Sequence, residues 1–420
     1  MQNNPPKFVP REMVVVEHVQ AQLAPYTGEG GPLTIALHEY VEGRPNVIIE
    51  YHSKPVAEEN GTIAIVGSHL DCVPADPETW TKDPFTLSRE GDKLYGRGTT
   101  DCLGHVALVT ELFVALAEQK PQLEIGVVAV FIASEENSTI PGVGVEQLVK
   151  AGLLDHIKDG PLLWCDSADS QPCIGTAAAI QWTLKFTGKL FHSGLPHKGI
   201  NALEMAMECV PKVQERFYEE FPPHEQEEKY GFTAPSTMKP TQIKISEGSV
   251  NQLPAWVEVT GDIRATPFYD PKAIQAAIEG YVAELNADLP KMESAARGPM
   301  SKYALSPENN NSEKGLNGKI ELTWEGEVFR GIACKLDSVG YHALVDSTKE
   351  VLGEAKPYSI TGSLPLVGDM QDAGYDVQIC GYGKSAVYHG NDEYCCLSDM
   401  ENAMKILGLC IDKVSDAAKK

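Results

Sequence analysis

His69 and Asp71 stand one residue apart where an apolar run, Ile63, Ala64, Ile65 and Val66, ends at Gly67. The run reads as a buried strand, and an imidazole and a carboxylate at its end are suited to chemistry. Three further strand-like runs end in groups of the same class. They end at Asp101 in YGRGTTDCLG, at Glu135 and Glu136 in FIASEEN, and at Asp166 in LLWCDSAD. His389, in AVYHGNDEY, is a fifth candidate. Carboxylates and neutral imidazoles are the natural ligands of a Lewis-acidic divalent ion. One His, two carboxylates and a solvent molecule would suit each of two ions if one carboxylate bridged them. Each group alone has a plainer reading. His69 could be a polar residue meeting solvent, Glu135 and Glu136 a solvated turn, and Asp166 a loop acid. Asp101 could cap the helix that starts near Gly104. The joint pattern favours metal, because four carboxylates meeting without a cation would repel one another. Residue types alone do not say which of the two adjacent glutamates is a ligand.

These groups need a scaffold that brings strand ends together. TIAIVGSHLD, GHVALVTELFVALAEQ, EIGVVAVFIASEE, EQLVKAG and GPLLWCD alternate strand and helix patterns. That is the rhythm of a sheet with helices on both faces. In such a sheet ligands bind beyond the carboxyl ends of the strands. The middle of the chain differs. IQWTLKFTGK and AWVEVTGDIRAT alternate apolar and polar residues, as strands with one solvated face do. A helical pattern follows each, and Pro211 should kink or split the first of these helices. KIELTWEGEV reads as a last strand of this part, and the polar stretch over residues 290–318 as a long loop. The fold class is therefore α/β, with a larger domain over residues 1–180 and 329–420. A smaller, inserted α+β domain of two layers spans residues 181–328.

Totals bound the function. A chain of 420 residues is too long for one ordinary core. The net charge of −24 argues against nucleic acid or an anionic membrane as partner, since both need clustered Lys and Arg. No apolar run reaches the roughly 18 residues that span a bilayer. The N-terminal residues lack the pattern of a secretory signal, so a cytoplasmic location is expected. The ten cysteines show no C-x-x-C pair and read as free buried thiols.

The ordered strings HLDCVP, GDKLYGRGTTDCLG, SEEN, HSGLPHKGINALE, NQLP, DIRATP and YHGNDEY resemble the co-catalytic zinc amidohydrolases. That family includes acetylornithine deacetylase, succinyl-diaminopimelate desuccinylase, aminoacylase and carboxypeptidase G. The matches run from residue 67 to 394, in order, and GRGTTDCLGH, TGSLPLV and HGNDEY look most like the eukaryotic acetylornithine deacetylase branch. The resemblance implies a zinc-peptidase-like catalytic domain with a mixed sheet, and an inserted lid and dimerisation domain. It implies two divalent ions, zinc or cobalt. His69 and Asp166 would hold one ion, Glu136 and His389 the other, and Asp101 would bridge them. Glu135 would be the general base, and Asp71 would orient the His69 imidazole through its other ring nitrogen. The peptide bond between Asp101 and Cys102 would be cis.

His192, on the inserted domain, would donate a hydrogen bond to the oxyanion in the partner subunit's site, which implies a homodimer. Arg264 would bind the substrate carboxylate and Asn251 would lie near the substrate. The reaction implied is hydrolysis of the amide of a small N-acyl amino acid, with N2-acetyl-L-ornithine as first choice. A dipeptidase or an aminoacylase of other specificity is the alternative. A non-catalytic protein that has kept the fold is the alternative of another class. Leu103 stands where many members carry Lys or another polar residue, and TGSLPLV replaces the acidic-Gly-Arg type sequence of the desuccinylase branch, which weakens that reading.

Overall fold

The computed structural model describes residues 10–53, 61–136, 142–292, 302–364 and 366–419. They divide into two compact units. One comprises Met1–Gly175, Ile332–Ser359 and Pro365–Lys420, and the other Thr176–Gly331 with Ile360–Leu364. The linear reading had put that last short segment with the larger part.

The first unit is built on an eight-stranded sheet. Its strands lie in the order Leu33–Glu39, Pro45–Tyr51, Gly126–Ile132, Thr62–His69, Pro161–Cys165, Asp376–Cys380, Cys173–Gly175 and Tyr358–Ser359. The four strands from Gly126–Ile132 to Asp376–Cys380 are parallel, and Pro45–Tyr51 and Leu33–Glu39 extend them antiparallel. Every residue of Gly126–Ile132 and of Thr62–His69 is buried, which is why they read as unbroken apolar runs. Helices Glu12–Leu23, Leu103–Gln119, Val339–Leu352 and Leu397–Ala418 bring Val16, Phe113, Leu344 and Ile406 to the same core.

Parallel strands put their carboxyl ends at one edge. His69 ends its strand, Asp166 follows Cys165, and Glu135 and Glu136 follow Ile132. The strand bearing His69 does not stop at Gly67, as its apolar run suggested. Its register against Gly126–Ile132 shifts between Val66 and His69, a bulge that re-aims the side chains beyond it. Gly67 makes this possible. It has φ +94, and a Cβ there would lie 2.7 Å from the Trp164 ring. Asp101 comes from elsewhere. It follows strand Lys93–Tyr95, which lies between Tyr394–Cys396 and Ser88–Glu90 in a small sheet. It leads into Leu103–Gln119 but does not cap it. Cys102 holds the N-cap position, without a side-chain cap, and the Asp101–Cys102 bond is cis.

The second unit has a four-stranded antiparallel sheet, in the order Thr237–Ile245, Trp256–Ala265, Ala178–Thr187 and Lys319–Phe329. Ile180, Trp182, Leu184 and Phe186 alternate with less buried residues along their strand, as the sequence period required. They share a core with Met205, Cys209 and Phe217 of Ala202–Glu220 and with Ile274 and Ile278 of Pro271–Asp288. Pro211 does not split Ala202–Glu220. Both Pro211 and Met207, whose carbonyl loses its helical partner, are exposed, so water can serve that oxygen. Part of the expected loop over 290–318 carries secondary structure. Residues 293–301 lie outside the described residues, but Ala304–Leu305 pairs with Leu316–Asn317 and Pro307–Asn310 is a short helix.

The ten cysteines are thiols, and all but Cys396 are buried. Among the described residues no helix is long and apolar enough to cross a membrane.

Candidate metal centre

At the carboxyl edge of the parallel strands, two imidazoles and four carboxylates converge. His69 Nε2 lies 2.9 Å from Asp101 Oδ1, 3.7 Å from Asp166 Oδ1 and 3.9 Å from Glu135 Oε2. His389 Nε2 lies 2.8 Å from Glu136 Oε1 and 3.1 Å from Asp101 Oδ2. Asp101 therefore spans the two rings, one oxygen to each. The His69 side chain is fully buried, whereas that of His389 is 54% exposed and marks the open side. Three overlapping groups have ligand atoms within 4.8 Å of one another: His69, Cys102 and Asp166; His69, Glu135 and Glu136; and Asp101, Glu136 and His389.

The electrostatics describe a site short of positive charge. Burial, with Asp101 and Glu136 nearby, pushes Asp166 up to about 8 despite the His69 ring. Glu135 is pushed well above the ordinary carboxylate range, first by burial and then by Asp166, Glu136 and Asp101. Burial also works on Asp101, but hydrogen bonds from His389 and His69 outweigh it and hold its carboxyl below the usual value. Hydrogen bonds to Asp101 and Glu136 raise His389 to about 10. A divalent cation would relieve this excess of acid, and oxygen and imidazole nitrogen donors fit zinc and similar ions.

The groups around the ligands are equally defined. His69 Nδ1 lies 3.0 Å from the backbone oxygen of Asp71 and 3.6 Å from its Oδ1. The carbonyl, rather than the carboxylate expected from sequence, is the closer acceptor. With Nδ1 donating, the Nε2 lone pair faces the centre. The Asp71 carboxylate also accepts the Glu135 N–H at 3.1 Å, so one residue holds both the ring and the Glu135 backbone.

Sequence reasoning missed four residues here. Asn46 accepts the Ala133 N–H at 3.0 Å and donates to Val143 O at 2.7 Å, pinning both sides of the segment that carries Glu135 and Glu136. An Asn inside the apolar run PNVIIEY was the available signal. Glu393 takes the N–H groups of Thr100 and Asp101 on one oxygen, and of Gly98 with the Arg97 guanidinium on the other. Burial pushes its carboxyl up against these four donors. His105 accepts the Tyr382 N–H on Nε2 at 2.8 Å, so its Nδ1 donates to Cys102 Sγ at 3.3 Å. Glu393, Cys102 and His105 lie inside HGNDEY and GRGTTDCLGH, but nothing in those strings gave them a task.

The remaining candidates lie in the second unit. His192 is exposed on the short strand Phe191–His192, and its Nδ1 accepts the Gly194 N–H at 3.0 Å. Asn251 is exposed and its carbonyl accepts the Ser193 N–H. Arg264 donates from Nε to Asp262 Oδ2 at 2.6 Å.

Residues 65–413 match the model of Peptidase family M20/M25/M40. The chain is 54% identical over 402 residues to an acetylornithine deacetylase of Arabidopsis thaliana, covering 95% of this chain and 89% of the relative. It is 48% identical over 422 residues to an acetylornithine deacetylase of Dictyostelium discoideum, covering 98% and 93%. Its fold matches the Bacillus subtilis YXEP protein, named a dinuclear metal binding peptidase from M20 family. The TM-score is 0.59 at 14% identity, covering 96% of this chain and 92% of that one.

Proposed function

Since the chain belongs to Peptidase family M20/M25/M40, we propose that it hydrolyses the amide of N2-acetyl-L-ornithine to ornithine and acetate. The observation that carries this reading is the pairing of 54% identity over nearly the whole chain with a convergent set of two imidazoles and four carboxylates. His69 and Asp166 would hold one divalent ion, Glu136 and His389 a second, with Asp101 between them. Such ions, zinc or cobalt, would acidify a shared water and polarise the amide carbonyl.

The chain's own groups supply the rest. Glu135 takes the proton from the attacking water and passes it to the leaving nitrogen as the carbon–nitrogen bond breaks. Its burial favours the protonated form it must reach between those two steps. Asp71 fixes the His69 ring and the Glu135 backbone. His192 donates to the oxyanion that develops in the partner subunit's site. The Gly194 N–H occupies its Nδ1, which leaves the proton of the neutral ring on Nε2, the tautomer a donor needs. Arg264 receives the substrate carboxylate with its guanidinium fork, and Asn251 borders the substrate.

A homodimer through the second unit belongs to the same reading. Thr237–Ile245 is an edge strand, and its residues 239–245 are all exposed. Ile243 and Ile245, 60% and 47% exposed, leave apolar surface beside unpaired backbone, which a second copy would cover. Cytoplasmic location completes the reading.

The test is hydrolysis of N2-acetyl-L-ornithine by purified protein, after chelation and after return of zinc or cobalt. Activity should vanish and return, and should exceed that on acetylmethionine or a dipeptide. Equal or better turnover of either comparator would refute the substrate assignment.

A further inference from the structure

The segments that carry Asp101 and His389 are far apart in sequence, yet they are laced together on the side away from their ligand atoms. The Glu393 backbone oxygen accepts the Gly96 N–H at 3.0 Å. Its carboxylate accepts four donors: Arg97 at 2.6 Å, Gly98 N–H at 3.1 Å, Thr100 N–H at 2.8 Å and Asp101 N–H at 3.0 Å. Thr100 Oγ1 donates to Tyr394 O at 2.6 Å, and Arg97 reaches the His389 carbonyl at 3.4 Å. His389 and Asp392 both have left-handed backbone, φ 54 and φ 56, which a non-glycine residue keeps only when its surroundings hold it. Glu393 is fully buried at the centre of this lacing. No neutral side chain replaces it. The amide of Gln presents hydrogens at one end, where two donors already point.

We propose that Glu393 is a positioning residue that fixes the separation of Asp101 and His389. It thereby governs retention of the ion that those two residues share with Glu136. The inference rests on the two-ion reading above. His69 and Asp166 come from strand ends, and none of the four donors to the Glu393 carboxylate belongs to them. Asp101 serves both ions in that reading, but the first keeps His69 and Asp166 in place while the second loses the setting of both Asp101 and His389, so loss of Glu393 should fall mainly on the second.

The experiment is calorimetric titration of metal-free protein with zinc, comparing wild type with Glu393→Gln. Wild type should bind two ions per chain. In the variant the second affinity should fall by about 10- to 100-fold, the range seen when a ligand loses its supporting partner, and the first should fall clearly less. Circular dichroism checks that the variant folds. If it does not, Glu393→Asp, which keeps the charge but withdraws the oxygens, should show the same selective loss. Ser415→Ala removes the buried acceptor of the Glu124 N–H near the far end of the last helix. It controls for stability alone and should leave both affinities unchanged. Two ions in wild type, with both affinities kept or lowered alike in the Glu393 variants, would overturn this inference and leave the two-ion reading standing. So would a selective loss in Ser415→Ala. Fewer than two ions in wild type would overturn the two-ion reading and this inference with it.

Discussion

Replacing His105 by Gln should remove a specific part of the protein's acid sensitivity. The ring is fully buried, and its Nε2 accepts the Tyr382 N–H at 2.8 Å. Protonation would place a second hydrogen in that contact, donor against donor, in a fully buried position. Burial accordingly lowers this histidine from 6.5 to about 4. Between those values the unfolded chain binds the proton and the native chain does not, so stability rises with pH across the window. The neutral ring's contribution is complete above about pH 6.5, is lost as pH falls towards 4, and changes no further below that. A shift of this size is worth about 3 kcal/mol at 1.36 kcal/mol per unit. Gln offers Tyr382 an acceptor that does not titrate. The assay is urea unfolding of metal-free wild type and His105→Gln from pH 7.5 to pH 3.5. The wild-type advantage should shrink by about 3 kcal/mol on going from pH 7 to pH 4. An advantage constant to within about 0.5 kcal/mol would mean that the ring does not stay neutral, and would refute the assignment of its hydrogen bonds.

Three further outcomes are expected. Glu135→Gln should lower kcat by roughly 10²- to 10⁴-fold while metal content, read by elemental analysis, stays at the wild-type level; a loss of metal would make Glu135 a ligand instead. Asn46→Ala leaves the Ala133 N–H and the Val143 carbonyl without their partner, at about 1–3 kcal/mol for each group. It should lower both the urea midpoint and kcat, and an unchanged kcat would show that the Glu135 segment holds its place without the amide. Ile243→Lys with Ile245→Lys charges the exposed edge strand and should turn a dimer into a monomer in sedimentation, whereas an intact dimer would move the contact elsewhere.

The sequence was most legible where burial is complete. The parallel strands lie inside on both faces, so their apolar runs could be read without ambiguity, and His69, Glu135, Glu136 and Asp166 stand where those runs end, whereas Asp101 does not. The strand of Ile180, Trp182, Leu184 and Phe186 was legible for the complementary reason, since one buried face leaves a period of two. Tasks set by contact across long separations were not legible. Nothing local to Glu393 says that it faces residues 97–101, and nothing in PNVIIEY says what Asn46 pins. The end of the strand at Gly67 was misread because glycine signals a stop and a bulge alike. Whether Pro211 splits its helix depends on whether the freed carbonyl faces water, which residue type does not tell. The Asp71 backbone oxygen that lies closer still to His69, and the Glu135 N–H that the Asp71 carboxylate accepts, are invisible to residue type.

The insertion of the second unit between halves of the first has a consequence for synthesis. Strand Pro161–Cys165 pairs on one side with Thr62–His69, but its other neighbour is Asp376–Cys380. The contact order of this pairing is therefore high, with the whole of Thr176–Gly331 made in between. At roughly 5–20 residues per second, a ribosome leaves that fully buried strand with one open edge for about 10–40 s. The smaller unit, whose four sheet strands all lie within Thr176–Gly331, can complete its pairing during this interval. His389 emerges last of the ligand candidates, so a nascent chain cannot assemble the full donor set until the final helix is close behind. A messenger truncated before that point would yield a protein with an intact second unit and an unfinished sheet, the species that chaperones and proteases are built to find.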